Sequence, residues 1–127
     1  MTVDVRPLAI IVTILTTIAM LSLAIPGWGT DYYVSSSGNN DNIGTSPDNA
    51  WESFSRVNAL DLRPGDRILL EAGARFAGPL LFDSEDRGTG TEPIVVTSYG
   101  GGWAAIEAGT GVGLSAHNTA GIALSKI

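Results

Sequence analysis

Apolar positions in the second half of the chain come in short bursts separated by turn formers. Residues 68–70 (ILL), 80–82 (LLF) and 94–97 (IVVT) are each of strand length, and Pro64-Gly65-Asp66, residues 73–78 and residues 87–93 divide them. None is long enough for a helix. The intervals leave no room for a crossover helix, so the bursts pair either as hairpins or as a coil that winds onward and stacks its strands in parallel. Residues 68–70 are apolar at every position, which predicts burial on both faces or at a cap junction. Upstream, residues 31–35 (DYYVS) read as a short strand. Downstream, residues 104–108 form another and residues 109–113 a glycine turn, while residues 113–118 and 121–127 alternate apolar with small or polar positions. In that last stretch Leu114, Ile122, Leu124 and Ile127 are expected to point inward, with Asn118 at a corner.

Residues 50–60 (AWESFSRVNAL) carry a helical pattern that places Trp51, Phe54, Val57 and Leu60 along one side. At about three turns such a helix is marginal alone in water, so its stripe must be buried. One helix at the start of a strand-rich chain suits the open end of a strand stack, where apolar side chains and unpaired backbone groups need cover.

At the N-terminus, residues 8–25 (LAIIVTILTTIAMLSLAI) run for 18 positions without a charge, between Arg6 and Pro26-Gly27-Trp28-Gly29. This length lies between a signal-peptide core and a membrane span of ~20 residues, and Thr13, Thr16, Thr17 and Ser22 dilute its apolar character. Gly27 and Gly29 have the small-residue spacing of a cleavage site. Two outcomes stay open: residues 1–29 are a cleaved signal peptide or an uncleaved membrane anchor. Either places residues 30–127 outside the cytoplasm, secreted or extracytoplasmic, with membrane contact only through the N-terminal segment.

Composition narrows the partners. Thirteen acidic side chains face 7 basic ones in 127 residues. That balance argues against nucleic acid, which needs a basic stripe to displace counterions. With no cysteine, packing and backbone hydrogen bonds must hold an exported domain together. Candidate chemistry is sparse. Asn39, Asn40, Asp41 and Asn42 could offer oxygens to calcium, but the spacing of a calcium loop is missing and Asx turns are the plainer reading. Asp83, Glu85 and Asp86 invite an acid/base role, against which stands a solvated excursion beside Arg87. Gly111, Gly113 and Ala116 match G-x-G-x-x-A, yet neither an apolar helix nor a later acidic residue follows, so no dinucleotide site is expected. His117 is the sole histidine and lacks a visible partner.

The order of these signals resembles the N-terminal part of secreted right-handed parallel β-helix proteins of the pectin-lyase-like superfamily. The likeness runs through Tyr32-Tyr33-Val34-Ser35, then Gly38-Asn39-x-Asp41-x-x-Gly44-Thr45, then Trp51 opening a short helix. It continues with Pro64-Gly65-Asp66 before an apolar strand, Gly73-x-x-Phe76-x-Gly78 and Pro93-Ile94-x-x-x-Ser98-Tyr99-Gly100. The resemblance implies a mainly β fold in which a short helix caps the first coils, each coil of ~20 to ~25 residues laying one strand in each of three parallel sheets. It also implies action on polysaccharides, as a lyase, glycoside hydrolase or epimerase, with catalytic groups on later coils. No catalytic residue of that family carries over to this sequence, and Trp103-Ala104-Ala105 departs from the pattern.

A solenoid needs about three repeats and a terminal cap. Residues 30–127 are therefore expected to be the cap and first coils of a truncated product, with an open end able to self-associate. Two functions compete: part of a polysaccharide-active enzyme, and a non-catalytic surface or carbohydrate-binding β-helix. A sandwich of hairpins would want Asn-Gly or Asp-Gly turns, and none occurs.

Overall fold

The computed structural model describes residues 29–127; residues 8–25 lie outside the described residues. Its elements are β1 (Asp31–Val34), a 3-10 turn (Pro47–Asn49), helix α1 (Ser55–Asn58), β2 (Arg67–Glu71), β3 (Arg75–Ala77), β4 (Leu80–Phe82), β5 (Ile94–Tyr99), β6 (Ala105–Glu107), β7 (Leu114–Ala116) and β8 (Ile122–Leu124). Every strand pair among them is parallel. β1, β2, β5 and β8 form one sheet in that order, β3 pairs with β6, and β4 pairs with β7. The chain thus visits three sheets in turn and starts again, and the hairpin alternative falls.

Register gives the length of a circuit. Asp31 lies beside Arg67, Arg67 beside Val95 and Ile94 beside Ile122, so the steps through the large sheet take 67 − 31 = 36, 95 − 67 = 28 and 122 − 94 = 28 residues. Leu80 to Leu114 takes 114 − 80 = 34. The later steps exceed the expected coil length because the excursions at residues 83–93 and 100–104 sit at corners, outside the ladders.

Strand alternation turns this stacking into a core. The ladders set Ile68 under Val96 and Val34 under Leu70. These four are fully buried and join Phe76, Leu80, Phe82 and Ile94 in one cluster. Burying each such side chain stabilises by roughly 1.5–3 kcal/mol, which makes the interior column the main favourable term. Residues 68–70 are all buried, as their unbroken apolar run predicts. Leu124 corrects an expectation. It is next to Val96 in the ladder yet 52% exposed, because no described residue lies above it. Leu114, Ile122 and Ile127 are partly buried against the cluster.

Two local readings need revision. Residues 73–78, expected as a turn, contain β3, where Phe76 is buried between outward Arg75 and Ala77. Three residues are too few for the alternation to stand out from flanking glycines. The helical pattern at residues 50–60 yields only the single turn of α1. Trp51 is drawn into a parallel bridge with Val34: its N–H donates to the Tyr33 carbonyl at 2.9 Å and its carbonyl accepts from Ser35 N–H at 2.8 Å. The Asn40 carboxamide oxygen accepts the N–H groups of Glu52 and Ser53, holding the next residues out of helix. Phe54 and Val57 still bury and roof the column.

Trp51 is locked from three sides. Its ring stacks on Tyr32 with centroids 5.5 Å apart, its indole N–H donates to the Asn42 carbonyl at 2.7 Å, and Gly44 lies against its face. Gly44 has φ +78°, and a β-carbon there would come within 2.3 Å of the indole. Gly73 has φ +81° with open space around it. Gly73→Ala should therefore cost only backbone strain, ~1–2 kcal/mol, whereas Gly44→Ala should add ~1–3 kcal/mol of overpacking. Equal losses in urea unfolding would contradict this account of the tryptophan.

Candidate functional site

The turn between α1 and β2 begins with a chemical necessity: a chain reversing at Pro64-Gly65 leaves amides without ladder partners. Asp66 supplies them. Its buried carboxylate accepts Thr30 N–H at 2.8 Å and Arg63 N–H at 2.9 Å, tying the start of β1 to the turn that feeds β2. Gly65 takes φ +86° to close the turn.

Above this staple lies a cleft of about 410 Å³ lined by Thr30, Tyr32, Asp61, Arg63, Pro64, Asp66 and Glu92. Asp66 is committed to the backbone. Among the described residues, the side chains of Asp61, Arg63 and Glu92 take part in neither of the two ion pairs nor in a side-chain hydrogen bond. Burial, followed by the charge of Asp66, pushes the Tyr32 phenol above its ordinary pKa, while Thr30 and Arg63 pull the other way. Tyr32 is accordingly a neutral hydroxyl at any physiological pH. Two carboxylates, one guanidinium and a phenol suit an uncharged, hydroxyl-rich ligand, whose vicinal hydroxyls both donate to carboxylates and accept from the guanidinium.

The residues singled out from the sequence lie elsewhere. The Asn39 side chain accepts Asp41 N–H and the Asn42 side chain donates to the Ala50 carbonyl, so with Asn40 they are loop and entry staples. No group of three or more His, Cys, Asp or Glu is arranged for a metal among the described residues. Asp83, Glu85 and Asp86 do not converge as an acid/base set. Asp86 is buried, not solvated, and accepts Leu62 N–H at 2.8 Å and Asp83 N–H at 2.9 Å; Asp83 accepts Glu85 N–H, and Glu85 is exposed. Gly113 precedes β7, so a strand follows where a dinucleotide site needs a helix. His117 is exposed, and its amide donates to the Phe82 carbonyl. Nothing local flags the cleft. Its residues come from three circuits, and Pro64-Gly65-Asp66 gave only a turn.

No family model matches the sequence. It is 44% identical over 75 residues to a lacto-N-biosidase of Bifidobacterium longum subsp. longum, an alignment covering 57% of this chain and 5% of that protein. Among solved structures, the GH136 lacto-N-biosidase of Eubacterium ramulus, as its selenomethionine derivative, superposes with a TM-score of 0.66 at 27% identity. The match spans 78% of this chain and 20% of that one. The native form of the same enzyme gives 0.62 at 24% identity, covering 77% and 20%. The chain is thus related to glycoside hydrolases of parallel β-coil build and spans a small part of their length.

Two measurements check the site. Asp86→Ala strands two buried amides and should destabilise by ~2–4 kcal/mol in urea unfolding; a loss below ~0.5 kcal/mol, as expected of surface changes, would mean Asp86 is no staple. A phenol pKa raised in the folded state contributes stability that is fully present below the unfolded value of 10.0 and lost as pH rises through the higher folded value. The alkaline absorbance titration should contain a late tyrosine component that Tyr32→Phe reduces without abolishing, because burial raises the Tyr99 phenol as well.

Proposed function

We propose that residues 30–127 form the cap and first circuits of an extracytoplasmic glycoside hydrolase built as a right-handed β-helix of the pectin-lyase-like kind, acting on oligosaccharides of the lacto-N-biose class. The observation that carries this reading is the 44% identity over 75 residues to a lacto-N-biosidase, on a chain whose strands all stack in parallel. The right hand follows from the general preference of parallel crossovers. Residues 8–25 serve export, as a signal or an anchor. The open rows at Leu124 and Ile122 are where a further coil, or a second copy, would stack.

Within this reading the cleft bounded by Asp61, Arg63 and Glu92 docks a neutral sugar. The acids first suspected of catalysis do not assemble: Asp86 is spent on two amides and Asp83 on a third. A second reading is a carbohydrate-binding β-helix without hydrolysis, for which the cleft alone would serve.

The protein purified from its own source should release nitrophenol from a nitrophenyl lacto-N-bioside. Arg63→Ala should lower the rate at sub-saturating substrate at least ~10-fold, about 1.4 kcal/mol of lost binding. Saturable binding without release would select the binding protein, and neither binding nor release would refute both.

A further inference from the structure

The outer face of the four-stranded sheet carries a second assembly, separate from the cleft. Successive residues of a strand point to opposite faces, so Tyr32 belongs to the cleft side and Tyr33 to the outside. In the ladder Tyr33 lies beside Leu69, and Leu69 beside Thr97. Glu71 lies beside Tyr99 in the next outward row.

Strands β1 and β5 are separated by β2, hence by roughly 9.5 Å. The rings of Tyr33 on β1 and Tyr99 on β5 nevertheless meet edge to face, with centroids 5.2 Å apart at 82°. They must lean toward each other over β2. Leu69, an outward apolar residue beneath them, is only 6% exposed, as a roofed residue should be. The result is a preformed aromatic ridge on a face that also carries Arg67, Thr97 and Glu71.

Polar groups are fixed at both ends of the ridge. At one end Glu71 accepts hydrogen bonds from Ser36 Oγ and Ser35 Oγ, each at 2.9 Å. Those bonds, Ser36 first, draw its pKa below the usual carboxylate range and keep it an ionised acceptor. At the other end Arg67 grips Asp31 with two parallel bonds, Nε to Oδ1 at 2.8 Å and Nη2 to Oδ2 at 2.6 Å. This pair, with Tyr33 and Thr45, borders a shallow groove of about 500 Å³. From Asp31 to Ser35 the strip runs roughly 13 Å along the strand, room for a short oligosaccharide.

We propose that this strip, Arg67 and Asp31 through the Tyr33 and Tyr99 ridge to Glu71, is a non-catalytic binding subsite for a neutral oligosaccharide. An aromatic ring presents an electron-rich face that attracts the C–H face of a pyranose, and the flanking carboxylate and guanidinium take its hydroxyls. Anionic ligands are disfavoured, because the strip carries two carboxylates against one guanidinium on a chain of net charge −6. Acid/base hydrolysis is disfavoured too, since Asp31, the other carboxylate here, is held by Arg67. The inference rests on the carbohydrate reading of the preceding section and adds a second contact surface to it.

Titration of the full chain with lacto-N-biose, a neutral disaccharide with no further lacto-N-bioside bond to cleave, followed by saturation-transfer NMR and calorimetry, tests it. Glu71→Gln and Tyr99→Ala should each weaken binding at least ~5-fold, while the exposed control Glu52→Gln stays within ~2-fold. Glu71→Gln keeps the side chain's size and an oxygen to accept from serine, and it decides the matter if Tyr99→Ala disturbs folding. No binding by the unaltered chain, or binding unchanged in Glu71→Gln, would overturn the proposal. Loss of nitrophenyl lacto-N-bioside hydrolysis with this titration intact would count against the hydrolase alone.

Discussion

Parallel pairing of β2 with β5 is the constraint from which the rest of the molecule follows. Once Arg67 lies beside Val95, the period-two alternation of each strand sends Ile68 and Val96 to the same interior row and Leu69 and Thr97 to the same exterior one. A slip of one residue would exchange the two rows and expose the buried column. Register is therefore held by the apolar rows themselves, with backbone hydrogen bonds enforcing it. The same ladder carries β1 and β8 at its two sides, so cap, core and outer face share one frame.

Corners of a coil are where the ladders stop, and each must find partners for its amides. Asp66 and Asp86 answer this in the same way. Each is a buried carboxylate that accepts two backbone N–H groups, one across its own turn and one from a distant segment. Asp66 joins the turn before β2 to the start of β1, and Asp86 joins the corner after β4 to Leu62. No buried side-chain nitrogen or oxygen among the described residues lacks a partner. In a chain without disulfides, such staples do for corners what packing does for the column.

The surfaces with chemical promise are by-products of this frame. Consecutive tyrosines on β1 serve opposite faces, Tyr32 bordering the cleft with Arg63 and Glu92, Tyr33 joining Tyr99 over β2. Both surfaces mix carboxylate, guanidinium and aromatic hydroxyl groups, and neither concentrates a single charge. That composition fits sugars better than phosphates or cations. It is also consistent with the likeness to lacto-N-biosidases that the strand stack brings.

Local pattern was enough for the strands at residues 31–34, 68–70, 80–82 and 94–97 and for the glycine corners, since their lengths and turn residues are properties of adjacent positions, while between hairpins and a parallel coil it left the choice open. It overreached at residues 50–60, where Trp51 found a better partner in Val34 than in its own helix, and it missed β3, whose single buried Phe76 shows no period. The cleft and the aromatic ridge were not legible at all. Thr30, Arg63 and Glu92, or Tyr33 and Tyr99, are many residues apart and become neighbours only when the successive steps of 36 and 28 residues from β1 to β2 to β5 close. Asp86 was read as exposed for the same reason: the amide of Leu62 that buries it arrives from another circuit. Sequence alone determined where the chain extends and where it turns, because those are decided by each residue and its neighbours. Tertiary structure decided which side chains meet, because that depends on register between circuits.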